Sequence, residues 1–205
     1  MHLSALRWAC YCSVAVPLGA SQTYKAKESG TTVTADSWSI SDDSTATISS
    51  GGTAELSSSA DPDEDATPYT VTAEKDNKEA TAQFIPTAVE SISAKGKTST
   101  AEETETIYVA KDATVEFEAT PKPGSEFPED EPEWEVAGSD TQEETEDNTE
   151  KEVDGDSCQV TFEDTGTYTV KARCGDDDTW KKIKVVVVQV DSIKITAGPD
   201  YGPAP

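Results

Sequence analysis

The chain repeats itself, and the repeat fixes the size of the unit it can fold into. Tyr-Thr-Val-Thr-Ala from Tyr69 returns as Tyr-Thr-Val-Lys-Ala from Tyr168. Val-Glu-Ser-Ile-Ser-Ala-Lys-Gly from Val89 returns as Val-Asp-Ser-Ile-Lys-Ile-Thr-Ala-Gly from Val190. A third match sets Val16–Ala26 against Val109–Ala119, with Val16 on Val109, Ala20 on Ala113, Tyr24 on Phe117 and Ala26 on Ala119 at one offset of 93. Trp38 and Trp134 fall at the same place in the order of landmarks. The period of about 93–101 residues is the size of one β-sandwich. The 205 residues then divide into a unit over 1–88 whose first strand is missing or irregular, a unit over 89–190, and a remainder over 191–205 that reads as the start of a truncated third copy or a tail. A chain that begins and ends inside a repeat is expected to be a piece of a longer array.

The second copy shows most clearly what each unit is made of. Val115, Phe117 and Ala119 alternate with Glu116 and Glu118; Trp134 alternates with Val136; Cys158, Val160 and Phe162 share one face; so do Tyr168, Val170, Ala172 and Cys174. This is the period-2 pattern of half-buried strands. Turn-rich stretches separate them, and no segment carries a helical period. The strand over 180–190 is apolar on both faces, since Val185 and Val187 alternate with Val186 and Val188. One set is expected to face the core and the other to meet a neighbouring strand, domain or chain. The expected fold is all-β: two antiparallel sandwiches meeting near Pro86–Ser91.

At Phe-Glu-Asp-Thr-Gly-Thr-Tyr-Thr-Val-Lys-Ala, from Phe162, the pattern resembles a known family. Asp164, Gly166, Tyr168 and Val170 are similar to the D-x-A-x-Y-x-C corner of immunoglobulin domains, where a tyrosine hydroxyl bonds back to the loop before it. Trp134 resembles the core tryptophan of strand C, and Phe117 and Val170 stand where that family places its inter-sheet cysteines. The resemblance is to cysteine-free bacterial immunoglobulin-like (Big or PKD-like) domains, and covers about residues 14–190 by the roughly 100-residue domain size. It implies tandem immunoglobulin-like sandwiches, with Trp38, Tyr69, Phe117, Trp134, Tyr168 and Val170 as structural core, in a secreted or surface-displayed protein. The first copy departs from the pattern, carrying Thr67 where the second has Gly166.

The strand pattern also bears on the amino terminus. Residues 1–20 have one Arg, an apolar middle and a small-residue end, as secretory signals do. Trp8, Tyr11, Cys10 and Cys12 make a poor apolar segment, however, and a cut after Ala20 would sever the stretch that matches Val109–Ala119. The strand reading of Val16–Ala26 is favoured.

Nothing points to catalysis. The one histidine is His2, so no Ser or Cys nucleophile has an evident base, and no phosphate-binding or metalloprotease motif occurs. The net charge of −25 repels nucleic acid and anionic membrane, and no apolar run approaches the roughly 20 residues that span a bilayer. Asp61, Asp63 and Asp65 alternate as oxygen ligands do in calcium loops. Ala66 stands where such a loop needs glycine and Thr72 where it needs a bidentate carboxylate, so the alternatives are a weak calcium site and an acidic turn. The stretch 139–156 lacks apolar periodicity and is expected to be a long mobile acidic loop. Cys158 and Cys174 each lie eight residues from Gly166 and share parity with core residues. They are expected either to form an inter-sheet disulfide, which would indicate an oxidising, extracytoplasmic setting, or to remain as two buried thiols. The expected function is a non-catalytic structural or adhesive spacer, extracellular or at a cell surface, whose partners are neighbouring repeats or other domains of a longer protein. The alternative is a carbohydrate- or polymer-binding accessory module, with calcium assisting.

Overall fold

One strand runs through both halves of the molecule. In the computed structural model, which describes residues 14–41, 45–58, 68–122, 126–138, 149–176 and 180–189, Lys78–Ala94 is a single strand of 17 residues, roughly 55 Å at 3.3 Å per residue. All regular structure among the described residues is β. The strands are β1 (Val14–Pro17), β2 (Ser21–Thr23), β3 (Lys27–Glu28), β4 (Thr31–Thr32), β5 (Ser37–Ile40), β6 (Ala46–Ile48), β7 (Thr53–Leu56), β8 (Tyr69–Lys75), β9 (Lys78–Ala94), β10 (Lys97–Ser99), β11 (Glu105–Ala110), β12 (Ala113–Lys122), β13 (Glu133–Gly138), β14 (Thr149–Asp154), β15 (Ser157–Phe162), β16 (Gly166–Arg173) and β17 (Lys181–Val188).

The second unit is a sandwich of β14-β15-β12-β9 against β11-β17-β16-β13. β11 runs parallel to β17 and the other pairs are antiparallel. The first unit places β6-β7-β2 against β5-β8-β9-β1, and β1 is again parallel to its neighbour, with Val16 opposite Pro86. The two halves share a connectivity, and the repeat positions coincide in space. Val16 and Val109 sit on the two parallel strands, β1 and β11; Tyr24 and Phe117 are both buried, as are Ala26 and Ala119. These are tandem immunoglobulin-like antiparallel sandwiches. The stretch Val16–Ala26, read from the repeat as one strand, is the end of β1 and the whole of β2 in the opposed sheet, just as Val109–Ala119 spans the end of β11 and most of β12.

Two cores form, one on each side of the middle of β9. Among the described residues, one cluster runs from Val16 to Ala88 and centres on Tyr24, Val71 and Phe84. The other runs from Val89 to Val187 and centres on Phe117, Trp134, Phe162 and Val170. Between them, Pro86, Thr87, Ala88 and Val89 are all buried, and the Thr87 hydroxyl donates to the Ile85 carbonyl at 3.3 Å. Boundaries between domains ordinarily fall in exposed linkers; this one is the most enclosed stretch of its strand. A bulge between Thr120 and Pro121 lets β12 follow β9 across it and pair Lys122 with Ala88.

The two tyrosine turns differ. The Tyr168 hydroxyl donates to the Asp164 carbonyl at 3.1 Å, pinning the turn between β15 and β16. The Tyr69 hydroxyl instead shares a hydrogen bond with the Thr45 hydroxyl, while its ring stacks on Phe84 at 5.0 Å.

Residues 149–156 are not loop. β14 pairs with β15 in register from Thr149–Phe162 to Asp154–Ser157, closing a hairpin over Gly155 and Asp156. The missing apolar alternation misled the sequence reading, because β14 is an edge strand exposed along nearly its whole length. It is held by its backbone ladder and by Lys151, whose Nζ crosses the open side of the sandwich to the Trp134 carbonyl at 2.9 Å. Residues 139–148 lie outside the described residues.

Two tyrosine-to-phenylalanine changes are expected to act in opposite directions on the urea midpoint. Tyr168→Phe removes the corner bond and should lower stability by about 1 kcal/mol. The Tyr24 hydroxyl is buried with no hydrogen-bond partner, and Tyr24→Phe, which copies Phe117 of the second unit, should raise stability by up to about 1 kcal/mol.

Candidate functional site

Two regions place chemically distinct groups together: the joint between the units and the outer face of the sheet built on β17. At the joint, Leu18 at the end of β1 bridges Gly175 just past β16, and the Asp176 N–H donates to the Leu18 carbonyl at 2.9 Å. Gly175 has φ +65°, and a Cβ there would lie 2.4 Å from the Leu18 oxygen and 2.6 Å from Pro17 Cβ. Only glycine allows this approach. Glu131 braces the turn, its Oε1 accepting from the Gly175 N–H at 3.1 Å, while its Oε2 is buried with no hydrogen-bond partner. Burial pushes the Glu131 carboxyl above its ordinary value; the Gly175 N–H pulls it back and the Glu133 charge adds to the rise. An open groove of about 690 Å³ lies beside it, between Val14–Gln22 of the first unit and Glu126–Glu131 of the second.

The outer face of β11-β17-β16-β13 changes character along its length. At one end Tyr108 is 70% exposed and Val188 40%, with Val186 between Tyr108 and Thr167 in the ladder. At the other end stand Lys182, Lys184, Lys171 and Arg173. Lys171 pairs with Glu135 at 2.7 Å and Arg173 with Glu133 at 2.6 Å. Both cations also lie over the Trp180 ring, at 4.4 and 4.6 Å from its centroid. Of the double-faced valine strand, Val185 and Val187 are buried in the core. Val186 gains partial cover within its own sheet, and Val188 stays exposed.

Phe117, Trp134, Tyr168 and Val170 are buried in the second core, with Phe117 and Val170 on opposed sheets. Trp38 and Tyr69 are only partly buried against the first core. Trp38 leans on Gly52, where a Cβ would come 2.7 Å from its ring. Asp61, Asp63 and Asp65 lie outside the described residues, as do His2, Cys10 and Cys12. Among the described residues no three metal-ligating side chains gather, and no helix is long and apolar enough to cross a membrane.

The disulfide alternative is corrected. Cys158 and Cys174 are not bridged; both are thiols with no exposure to solvent. Cys158 is on β15 and Cys174 directly follows β16 in the opposed sheet, and each thiol packs separately in the core. Phe117, cross-strand from Cys158, and Trp134, cross-strand from Ala172, occupy the same core. The sequence reading missed Glu131, Gly175 and Leu18, because contact between the two units leaves no periodic trace in either.

No protein-family model matches the chain, and no curated protein matches it. Solved structures that match the chain include a three-domain titin fragment carrying Glu-to-Ala changes (17% identity over 85% of this chain and 62% of that one, TM-score 0.38). A second is another titin tandem (13% identity over 87% and 64%, TM-score 0.38). A third is the extracellular domains 3–5 of Drosophila OTK (15% identity over 86% and 59%, TM-score 0.29). The chain spans less than two thirds of the length of each of these three.

The buried hydroxyl and thiol make alkaline pH the weak flank of the fold. Burial pushes Tyr24 up from 10.0 to about 12. It pushes Cys158 up from 9.0 to about 11, against a smaller pull from Lys151. Both raised values favour the protonated native state, so this stability is complete below pH 9 and is lost as pH rises toward 11 and 12. Each shift corresponds to roughly 2–3 kcal/mol. Urea midpoints should fall steeply above pH 9, and Cys158→Ala should flatten the early part of that fall.

Proposed function

We propose that the chain is a non-catalytic, stiff structural spacer from a secreted or surface-displayed repeat protein of the bacterial immunoglobulin-like kind, holding other domains at a set distance. The observation that carries this reading is the sharing of β9 between two cores, with no exposed residue over Pro86–Val89 to act as a hinge. The Leu18–Gly175 bridge and the Asp176–Leu18 hydrogen bond add a second point of attachment away from β9. Two attachments remove the rotation that a single strand would leave. Inter-domain motion is the default where an interface is small and polar; here the backbone itself crosses the interface in a ladder. A spacer also suits a chain with no assembled nucleophile, base or metal cluster among its described residues.

Small-angle scattering tests this. The expected result is a single extended profile, unchanged between 10 and 40 °C, and fitted by one arrangement of the two units. Gly175→Val, which wedges a side chain against Pro17 and Leu18, should broaden that profile. A wild-type profile that needs a wide ensemble of inter-unit angles would refute the spacer.

A further inference from the structure

The second sandwich carries opposite charge on its two outer faces. On the β9 side, the outward positions of β12 and β14 include Glu116, Glu118, Glu150, Glu152 and Asp154, with Thr114 and Thr120 flanking the acids of β12. These acids share rows with Ser157, Gln159 and Thr161 of β15, and no Lys or Arg stands at an outward position in those rows. On the β17 side, Lys171 and Arg173 are matched by Glu135 and Glu133. Lys182 and Lys184, on β17, have no ion-pair partner among the described residues. Beyond them the same face turns apolar at Val186, Tyr108 and Val188. In a chain of net charge −25, an outward sheet face with unmatched lysines and an exposed tyrosine is the exception, and its complement lies on the other side of the same sandwich.

We propose that the β17 face is a docking surface for the acidic β12–β14 face of a second copy of this chain. Because the two faces lie on opposite sides of one sandwich, the contact is heterologous and does not close; it continues as a side-by-side stack. Lys182 and Lys184 meet Glu116, Glu118 and the acids of β14, while Tyr108, Val186 and Val188 give up water against the threonine-rich end of the partner sheet. Two opposing charge effects give the contact a signature. At about 0.01 M salt the screening length is about 30 Å and the net charge of each molecule keeps copies apart; at about 0.15 M it is about 8 Å, and only groups in contact still feel one another; at 1 M it is about 3 Å and the facing pairs weaken. Association should therefore peak at intermediate salt. Surface repulsion alone would relax steadily with added salt, and purely apolar association would strengthen.

Sedimentation equilibrium of the full chain, under reductant so that Cys10 and Cys12 cannot cross-link, tests the proposal. Wild type should self-associate from micromolar to millimolar concentration, most strongly near 0.15 M salt. Lys182→Glu with Lys184→Glu should weaken this by about tenfold or more, the scale expected for reversing facing charges. Lys25→Glu with Lys27→Glu, an equal change of net charge on the first unit, should leave it nearly unchanged. Glu116→Lys with Glu118→Lys should weaken it as well, and an equimolar mixture of the two face variants should restore association. Circular dichroism confirms that each variant is folded. A monomer at every salt concentration overturns the proposal. So does an equal effect of the first-unit control, or a mixture that stays apart. Retention of a monomeric wild type on an immobilised polyanion, lost in Lys182→Glu with Lys184→Glu, would assign the face to an anionic polymer and overturn the second-copy contact. None of these outcomes depends on how stiff the single chain is.

Discussion

Everything else in the molecule hangs on the hydrogen-bond ladder of β9. Its first half is the closing strand of one sandwich, paired with β8 on one side and the parallel β1 on the other. Its second half opens the next, between β12 and β10. A strand within a sheet must satisfy its N–H and C=O groups on both sides or lose the free energy of each orphaned group. Along its 17 residues β9 meets this requirement with β8, β1, β12 and β10 in turn, and that succession of partners sets the direction of both sandwiches at once. The bulge in β9, where Glu90 is left over between the partners of Thr120 and Pro121, is the local adjustment that lets the second sheet follow.

The larger core shows what a unit of this kind looks like when its positions are well filled; the smaller one shows how much can be surrendered. Phe117, Phe162 and Trp134 occupy the second interior with β-branched residues around them. In the first, Tyr24 stands where Phe117 would, and Trp38 stays partly exposed on its glycine. Side-chain volume buried per strand is smaller, and the transfer free energy falls with it. The first unit is tied to the better-filled one by a covalent strand and by the Gly175 turn, so the two are coupled in packing as well as in chain.

How much of this was legible in the sequence follows from which forces leave a periodic trace. The alternation of Val115, Phe117 and Ala119, or of Tyr168, Val170 and Ala172, records burial on one face of a strand, and the repeat gives the spacing between units. The tyrosine corner was readable at Tyr168 because Asp164 and Gly166 shape its turn. At Tyr69 the same motif was misleading, since the hydroxyl finds Thr45 instead. β14 was illegible because an exposed edge strand has no core side to mark it. Cys158 and Cys174 shared the right parity, but parity says nothing of the distance between sheets. Leu18, Glu131 and Gly175 were out of reach of any pattern, because a contact between two units depends on where each has already placed its loops. The two charged faces were present in the sequence as alternating Glu and Lys positions, and only the strand order shows that they stand back to back.

The crowded middle of β9 also limits how chain length can change there. Phe84 and Ala88 face the first core and Val89, Ile92 and Ala94 the second, with the odd residue between them taken up by the bulge at Glu90. One residue inserted between Pro86 and Ser91 would turn every later side chain to the opposite side. Ser91 and Ser93 would enter the interior, Ile92 and Ala94 would meet solvent, and the second sandwich would present its acidic side where its basic side had been. Two residues would restore the alternation but carry Leu18 out of reach of Gly175. The joint therefore counts residues, and a descendant of this chain can lengthen its loops freely while its midpoint admits no drift in number.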